Sequence, residues 1–284
     1  MTTAVARTAP VHANLYALGA IALWASLASL GVSLAHVPPF LLTGLALVIG
    51  SVPAWPLVRQ WKVPASTLAL GVYGLFGFHF LLFVALRSAP AVQANLVNYL
   101  WPLLIVVMAP LFLPDLRLRV AHVGAALLGF AGAAIAILGA GASNGGWAWG
   151  YVPALGSAFI WASYSLLTRR VTAFPTAAIG LFGLVSGLLS LACHVVAEPA
   201  TTLSAHDWML IAAMGLGPLG AAFFLWDRAL KHGDPRQIGV LGYITPVAST
   251  ALLVLTSGKP ATWSIAVAAG LIVCAAWIGT RSGE

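Results

Sequence analysis

Residues 71–103, GVYGLFGFHFLLFVALRSAPAVQANLVNYLWPL, and residues 215–247, GLGPLGAAFFLWDRALKHGDPRQIGVLGYITPV, align without a gap at an offset of 144. Nine of the 33 positions are identical: Gly71/Gly215, Leu75/Leu219, Phe80/Phe224, Leu81/Leu225, Ala85/Ala229, Leu86/Leu230, Gln93/Gln237, Tyr99/Tyr243 and Pro102/Pro246. Tyr-x-x-Pro recurs in register inside two hydrophobic segments, so the chain reads as a duplicated unit.

Composition names the solvent. The chain is 61% hydrophobic and 7% charged, with a mean hydropathy of +0.99. That balance cannot clothe a water-facing surface and places the protein in a bilayer. Ten uncharged or nearly uncharged stretches follow one another, at 14–35, 40–58, 66–87, 90–112, 120–140, 147–168, 176–196, 206–230, 235–257 and 261–280. Each is long enough to cross a hydrocarbon core, and no gap between them holds a soluble domain. The lead before residue 14 lacks the pattern of a cleavable signal peptide. Cys193 and Cys274 sit within apolar segments and read as small core residues rather than a disulfide.

The net charge of +7 follows the same frame. With the N-terminus cytoplasmic, Arg7, Arg59, Lys62, Arg117, Arg119, Arg169, Arg170, Arg228, Lys231, Arg236 and Arg281 fall inside, and only Arg87 and Lys259 fall outside. This asymmetry supports ten helices with both termini cytoplasmic in an inner membrane, and explains the basic charge without nucleic acid. The third and eighth helices, which carry the two copies, are five crossings apart, so the copies enter the membrane in opposite senses. Trp24-Ala25-Ser26 is echoed by Trp161-Ala162-Ser163 in the first helix of each half. The expected fold is therefore all-α integral membrane: ten transmembrane helices as two inverted five-helix repeats around a central cavity. The expected divisions are a lead 1–13, a first repeat 14–140, a linker 141–146, a second repeat 147–280 and a tail 281–284. An inverted pair of this kind alternates access by exchanging half conformations.

The paired WAS and Tyr-x-x-Pro motifs resemble the drug/metabolite transporter superfamily, specifically its EamA-type members, over nearly the whole chain. The run Asn98-Tyr99-Leu100-Trp101-Pro102 resembles the aromatic amino acid exporters of that superfamily. The resemblance implies export of small metabolites, aromatic amino acids among them, through a central cavity.

Candidate recognition groups come from the fourth helix first. Asn95, Asn98, Tyr99 and Pro102 lie at i, i+3, i+4 and i+7 and share one face. Amides and a phenol facing lipid would cost several kcal/mol, so this face meets protein or a wet cavity. Two readings fit it, cavity lining and interhelical hydrogen bonding. Pro102 and Pro246 remove backbone donors and are candidate hinges. The second half carries Gly239 and Gly242 where the first has Asn95 and Asn98, so polar specificity is expected on the first half.

His79 stands mid-helix far from other charge, with Phe223 as its counterpart. It is expected either to meet a substrate carboxylate or coupling proton, or to rest neutral on a backbone carbonyl. Trp24, Trp101, Trp161, Tyr164 and Tyr243 complete the substrate-binding candidates; an aromatic wall would stack on a planar ring, or the rings simply pack. Trp55, Trp61, Trp147, Trp149, Trp208 and Trp263 lie near span ends as interfacial anchors. Asp227 and Arg228 close the eighth helix as a candidate salt bridge or gate.

The sequence contains no HExxH, acidic metal pair, nucleophile–base pair or P-loop, so it points to no enzyme, no metal and no cofactor. The expected partners are a small-molecule substrate and the lipid bilayer, with oligomeric state left open. A channel-like facilitator and an exporter of another metabolite or drug class are the competing readings.

Overall fold

The computed structural model describes residues 9–139, 147–257 and 263–281, which form ten helical rods. They are α1 (His12–Ser33), α2 (Pro39–Trp61), α3 (Ala65–Ser88), α4 (Ala91–Phe112), α5 (Val120–Leu138), α6 (Tyr151–Leu167), α7 (Ala178–Ala197), α8 (Ala205–His232), α9 (235–257) and α10 (Trp263–Gly279). Most of the expected lead 1–13, the linker 141–146, Lys259 and the tail beyond Arg281 lie outside the described residues. Proline sets several starts, because a residue without an N–H costs nothing where helical donors are unpaired. Pro39 and Pro235 occupy first turns, and Pro64 and Pro90 immediately precede α3 and α4. α8 opens with a capping box: Asp207 N–H donates to Ser204 Oγ at 3.2 Å, and Ser204 N–H donates to Asp207 Oδ2 at 2.9 Å.

Successive loops gather at alternate ends of the bundle. At one end, Arg236 donates to Arg117 O, Arg169 to Gly233 O at 3.0 Å and Lys231 to Phe174 O at 2.8 Å. These contacts join the loops after α4, α6 and α8. At the other end, Gly150 N–H donates to Ser88 O at 3.2 Å and His36 lies 3.2 Å from Asp207, joining the loops after α1, α3, α5 and α7. Five alternating rods precede the second half, so the halves are inverted.

The packing respects the same operation. α2 lies on α7 and α5 on α10; α1 on α8 answers α6 on α3, and α4 on α6 answers α9 on α1. Each pair maps onto another, or onto itself, when a helix is exchanged for the one five places later. The outer faces are apolar, with Leu111, Val195, Val196 and Val273 exposed. Cys193 and Cys274 are free, but Cys274 is exposed on such a face rather than packed in the core. Lipid solvates a thiol as readily as a core does, so hydropathy alone misplaces it. Of the expected interfacial tryptophans, Trp55, Trp147, Trp149, Trp208 and Trp263 are exposed and Trp61 is half-buried.

Four departures from regular helix matter. α3 and α8 each contain a widened π-turn, Tyr73–Gly77 and Gly217–Ala221, at the same 144-residue offset. α4 breaks between Asn98 and Trp101, and α9 between Leu241 and Ile244, where continuous helices were expected. In addition α2 tightens to a 3-10 helix over Val52–Trp61, with Pro53 and Pro56 inside it and a kink at Leu57 (φ −101°, ψ 21°).

Candidate functional site

The paired π-turns present carbonyls sideways, and aromatic N–H groups take them. His79 Nδ1 lies 2.6 Å from Leu75 O, inside the π-turn of α3. A carbonyl only accepts, so Nδ1 carries the proton. Trp24 Nε1 donates to Pro218 O, inside the π-turn of α8, at 3.1 Å. Each widened turn therefore anchors one aromatic ring where the two halves meet, as π-bulges do at functional sites.

Around these anchors the structure gathers a layer of rings. Trp24 lies 5.7 Å from Trp161, 6.2 Å from Phe223 and 5.1 Å from Trp226. Trp161 is stacked on Trp226 at 6.2 Å and contacts Tyr164 at 5.4 Å and Phe78 at 5.4 Å. Trp101 meets Trp226 edge-on at 5.6 Å, and His79 approaches Phe78 at 5.0 Å and Phe223 at 6.2 Å. Trp226 Nε1 donates to Ser165 Oγ at 3.2 Å. Each ring pair contributes about 0.5–1.5 kcal/mol beyond burial, and Trp24, Trp101, Trp161, Tyr164, Phe223 and Trp226 are all buried, so the layer is a packed aromatic core between the halves. Sequence reasoning placed Trp24, Trp101, Trp161, Tyr164 and His79 here but missed Phe78, Phe223 and Trp226. Phe223 and Trp226 lie at i and i+3 on α8, and that spacing was the available signal.

The polar stripe of α4 divides in two. Asn98 is buried, and Ser157 Oγ donates to its Oδ1 at 2.8 Å, one turn of α6 away from Trp161. Asn95 and Tyr99 are half-buried, and no described residue hydrogen-bonds their side chains. Nε2 of His79 likewise has no protein partner among the described residues. The helix break falls at Tyr99–Leu100, just ahead of Pro102, whose missing N–H leaves Asn98 O without its helical donor. Directed donors, acceptors and a loosened backbone thus lie on elements that also carry ring faces.

Symmetry ends at this point for a steric reason. A Cβ on Gly242, the counterpart of Asn98, would stand 2.2 Å from the ring of Trp101, so only glycine admits that indole. A Cβ on Gly74 would stand 2.3 Å from the Tyr164 ring, and the π-turn of α3 makes the same concession there. Tyr243, expected in the site, is instead fully buried against Ala133 and Ile272, with Phe130 at 6.4 Å. It packs α9 onto α5 and α10, away from the aromatic layer. Pro246 follows the break of α9 as Pro102 follows that of α4.

Ion pairs lie toward both ends of the bundle. Asp227 Oδ2 accepts from Lys231 Nζ at 2.6 Å and from Thr176 Oγ1 at 2.6 Å, so its partner is Lys231 and not Arg228. One helical turn separates Asp227 from Lys231, whereas adjacent residues point to different faces. Arg228 lies outward, 5.7 Å over the ring of Tyr16. At the opposite end the sequence reading missed Glu198, whose carboxylate is wholly buried. It accepts from Phe40 N at 3.0 Å, Leu41 N at 3.1 Å and Arg87 at 2.7 Å, and lies 3.0 Å from His194 Nδ1. It thereby caps α2 and ties α2, α3 and α7 together. Among the described residues no His, Cys, Asp and Glu side chains converge as metal ligands.

An inverted-repeat bundle of membrane length, with broken helices and an aromatic layer between its halves, has the architecture of a polytopic membrane carrier. The profile of the EamA-like transporter family matches residues 12–138 and again 148–280, one match per half. The chain belongs to the EamA-like transporter family. It is 43% identical over 279 residues to the aromatic amino acid exporter YddG of Ancylobacter novellus, covering 94% of this chain and 96% of that one. It is 27% identical over 297 residues to the protein of the same name from Escherichia coli, covering 95% and 98% of the two chains. A solved crystal structure superposes with a TM-score of 0.89 at 42% identity, over 96% of this chain and 97% of that one.

Proposed function

We propose that this chain exports small amphipathic metabolites by alternating access, and that aromatic amino acids are its substrates. The observation that carries this reading is the pair of half-buried side chains, Asn95 and Tyr99, that no described residue hydrogen-bonds, on a helix whose next turns reach the aromatic layer. An aromatic amino acid offers both complements: a planar ring for the faces of Trp101 and Trp161, which are buried here and reached as the halves part, and a zwitterion for amide, phenol, His79 Nε2 and the carbonyl left open by Pro102. The curated relatives named for this activity share the chain almost end to end. The proposed operating units are residues 14–140 and 147–280, with the linker 141–146 between them. Both termini face the cytoplasm of an inner membrane, because the Lys- and Arg-rich loops gather at one end.

Counterflow of labelled Phe, Tyr and Trp into proteoliposomes of purified protein tests the reading. Saturable exchange, with unlabelled aromatic amino acid accelerating uptake, is expected. Flux that rises linearly with concentration would mark a channel-like facilitator, and no exchange of any of the three would remove the substrate assignment.

A further inference from the structure

Between α2, α8 and the segment leading into α7 the protein carries a cleft of about 580 Å³ whose lining includes none of the aromatic-layer residues. It lies toward the end that gathers the basic loops. Its shape follows from the backbone: α2 is narrowed there into its proline-bearing 3-10 segment, while α8 is widened by the π-turn Gly217–Ala221. Gly50, Ala54 and Ala221 keep the walls thin, and Leu57, Leu216 and Phe224 make them apolar. Three polar side chains stand among them: Gln60, Arg228 and Thr176, whose hydroxyl is committed to Asp227.

Arg228 is the distinctive group. It is exposed, and no carboxylate among the described residues lies within ion-pair distance of it. Asp227, its neighbour in sequence, is occupied by Lys231 and Thr176. The Tyr16 ring lies beneath the guanidinium, and no described residue takes up its N–H fork. A largely apolar cleft whose lining includes an amide and a guanidinium without a carboxylate partner among the described residues matches a lipid chain with an anionic phosphate head. The volume lies within the roughly 300–1,000 Å³ of small-molecule sites.

We propose that this cleft binds an anionic phospholipid, its acyl chain along α2 and α8 and its phosphate on Arg228 and Gln60. The site needs only a membrane location and does not depend on what the protein transports.

Native mass spectrometry of the full chain released from detergent micelles tests it, with phosphatidylglycerol and phosphatidylcholine of equal chain length in competition. Wild type is expected to retain phosphatidylglycerol about fivefold over phosphatidylcholine. Arg228→Gln is expected to bring the ratio to unity, Arg228→Lys to keep most of it, and Ala221→Phe to lower retention of both lipids by filling the groove. Arg228 and Ala221 are exposed, so these changes spare the core. Equal retention of the two lipids by wild type overturns the proposal without recourse to any variant. So does an Arg228→Gln protein that keeps the preference, or an Ala221→Phe protein that retains lipid undiminished. Displacement of bound phosphatidylglycerol by an aromatic amino acid would make the cleft a substrate vestibule and overturn it as well.

Discussion

Asn95 and Asn98 sit one turn apart on the same helix, and the tertiary structure gives them opposite tasks. Asn98 is tied to Ser157, so Asn98→Ala should lower stability by about 0.5–1.5 kcal/mol, seen as a drop in the thermal midpoint in detergent. Asn95 is bonded to no described residue, so Asn95→Ala should leave that midpoint unchanged and raise the KM of counterflow. The reverse pattern would exchange the two roles. What the sequence shows at this scale is that four polar or hinge positions share a face, and that Gly239 and Gly242 break the symmetry. It does not show why Gly242 must be small, because the Trp101 ring that fills the space lies 141 positions earlier in the chain. Trp226 escapes notice for a related reason: its i, i+3 spacing from Phe223 is the signal it carries, and in a chain this apolar such a spacing between aromatic residues stands out little.

At the scale of the element, length and charge suffice to place ten helices, but not to say where they deviate. A π-turn adds one residue to a turn and has no local code; YGLFG and GPLGA differ in most positions, yet both adopt it. Helix starts are more legible, since prolines and caps act locally. The start of α9 makes a measurable case. Burial opposes ionisation of Asp234, yet the hydrogen bonds and charge of Arg236 hold its carboxyl below the usual carboxylate range. A depressed native value means that the cap's contribution is full above the ordinary carboxylate pKa and disappears as pH falls through the lower native value. Asp234→Asn should therefore be less stable than wild type near neutral pH, and the difference should shrink in strong acid. Thermal midpoints of the two proteins across pH 2–7 check it, and a gap that widens toward acid would contradict this assignment.

On the scale of the whole molecule, the two ends are tied together by different contacts. Glu198 joins α2, α3 and α7 at one end; Asp227 and Lys231 join α8 to the loop carrying Phe174 and Thr176 at the other. If alternating access governs the protein, weakening each latch should open its own side. An Asn95→Cys reporter, with Cys193→Ser and Cys274→Ser, measures this by impermeant maleimide labelling from either face of the membrane. Glu198→Gln should raise labelling from the Arg87 face, and Lys231→Met from the face carrying Arg117 and Arg169. A shift in the same direction for both variants would show that these ion pairs do not gate access.

Hydropathy, span length and the sidedness of Lys and Arg are sums along the chain, and they determined the membrane class, the number of crossings and the inversion of the halves. The EamA-type resemblance was legible in motifs as short as Tyr-x-x-Pro because duplicated helices keep their local breaks. The pairing of groups belongs to the tertiary structure. Ser157 with Asn98, Trp24 with Pro218 and Glu198 with Phe40 join residues 59, 194 and 158 positions apart. Such contacts depend on how far each helix is rotated and slid against its neighbours, and a π-turn or a proline break resets that rotation without leaving a periodic trace in the sequence.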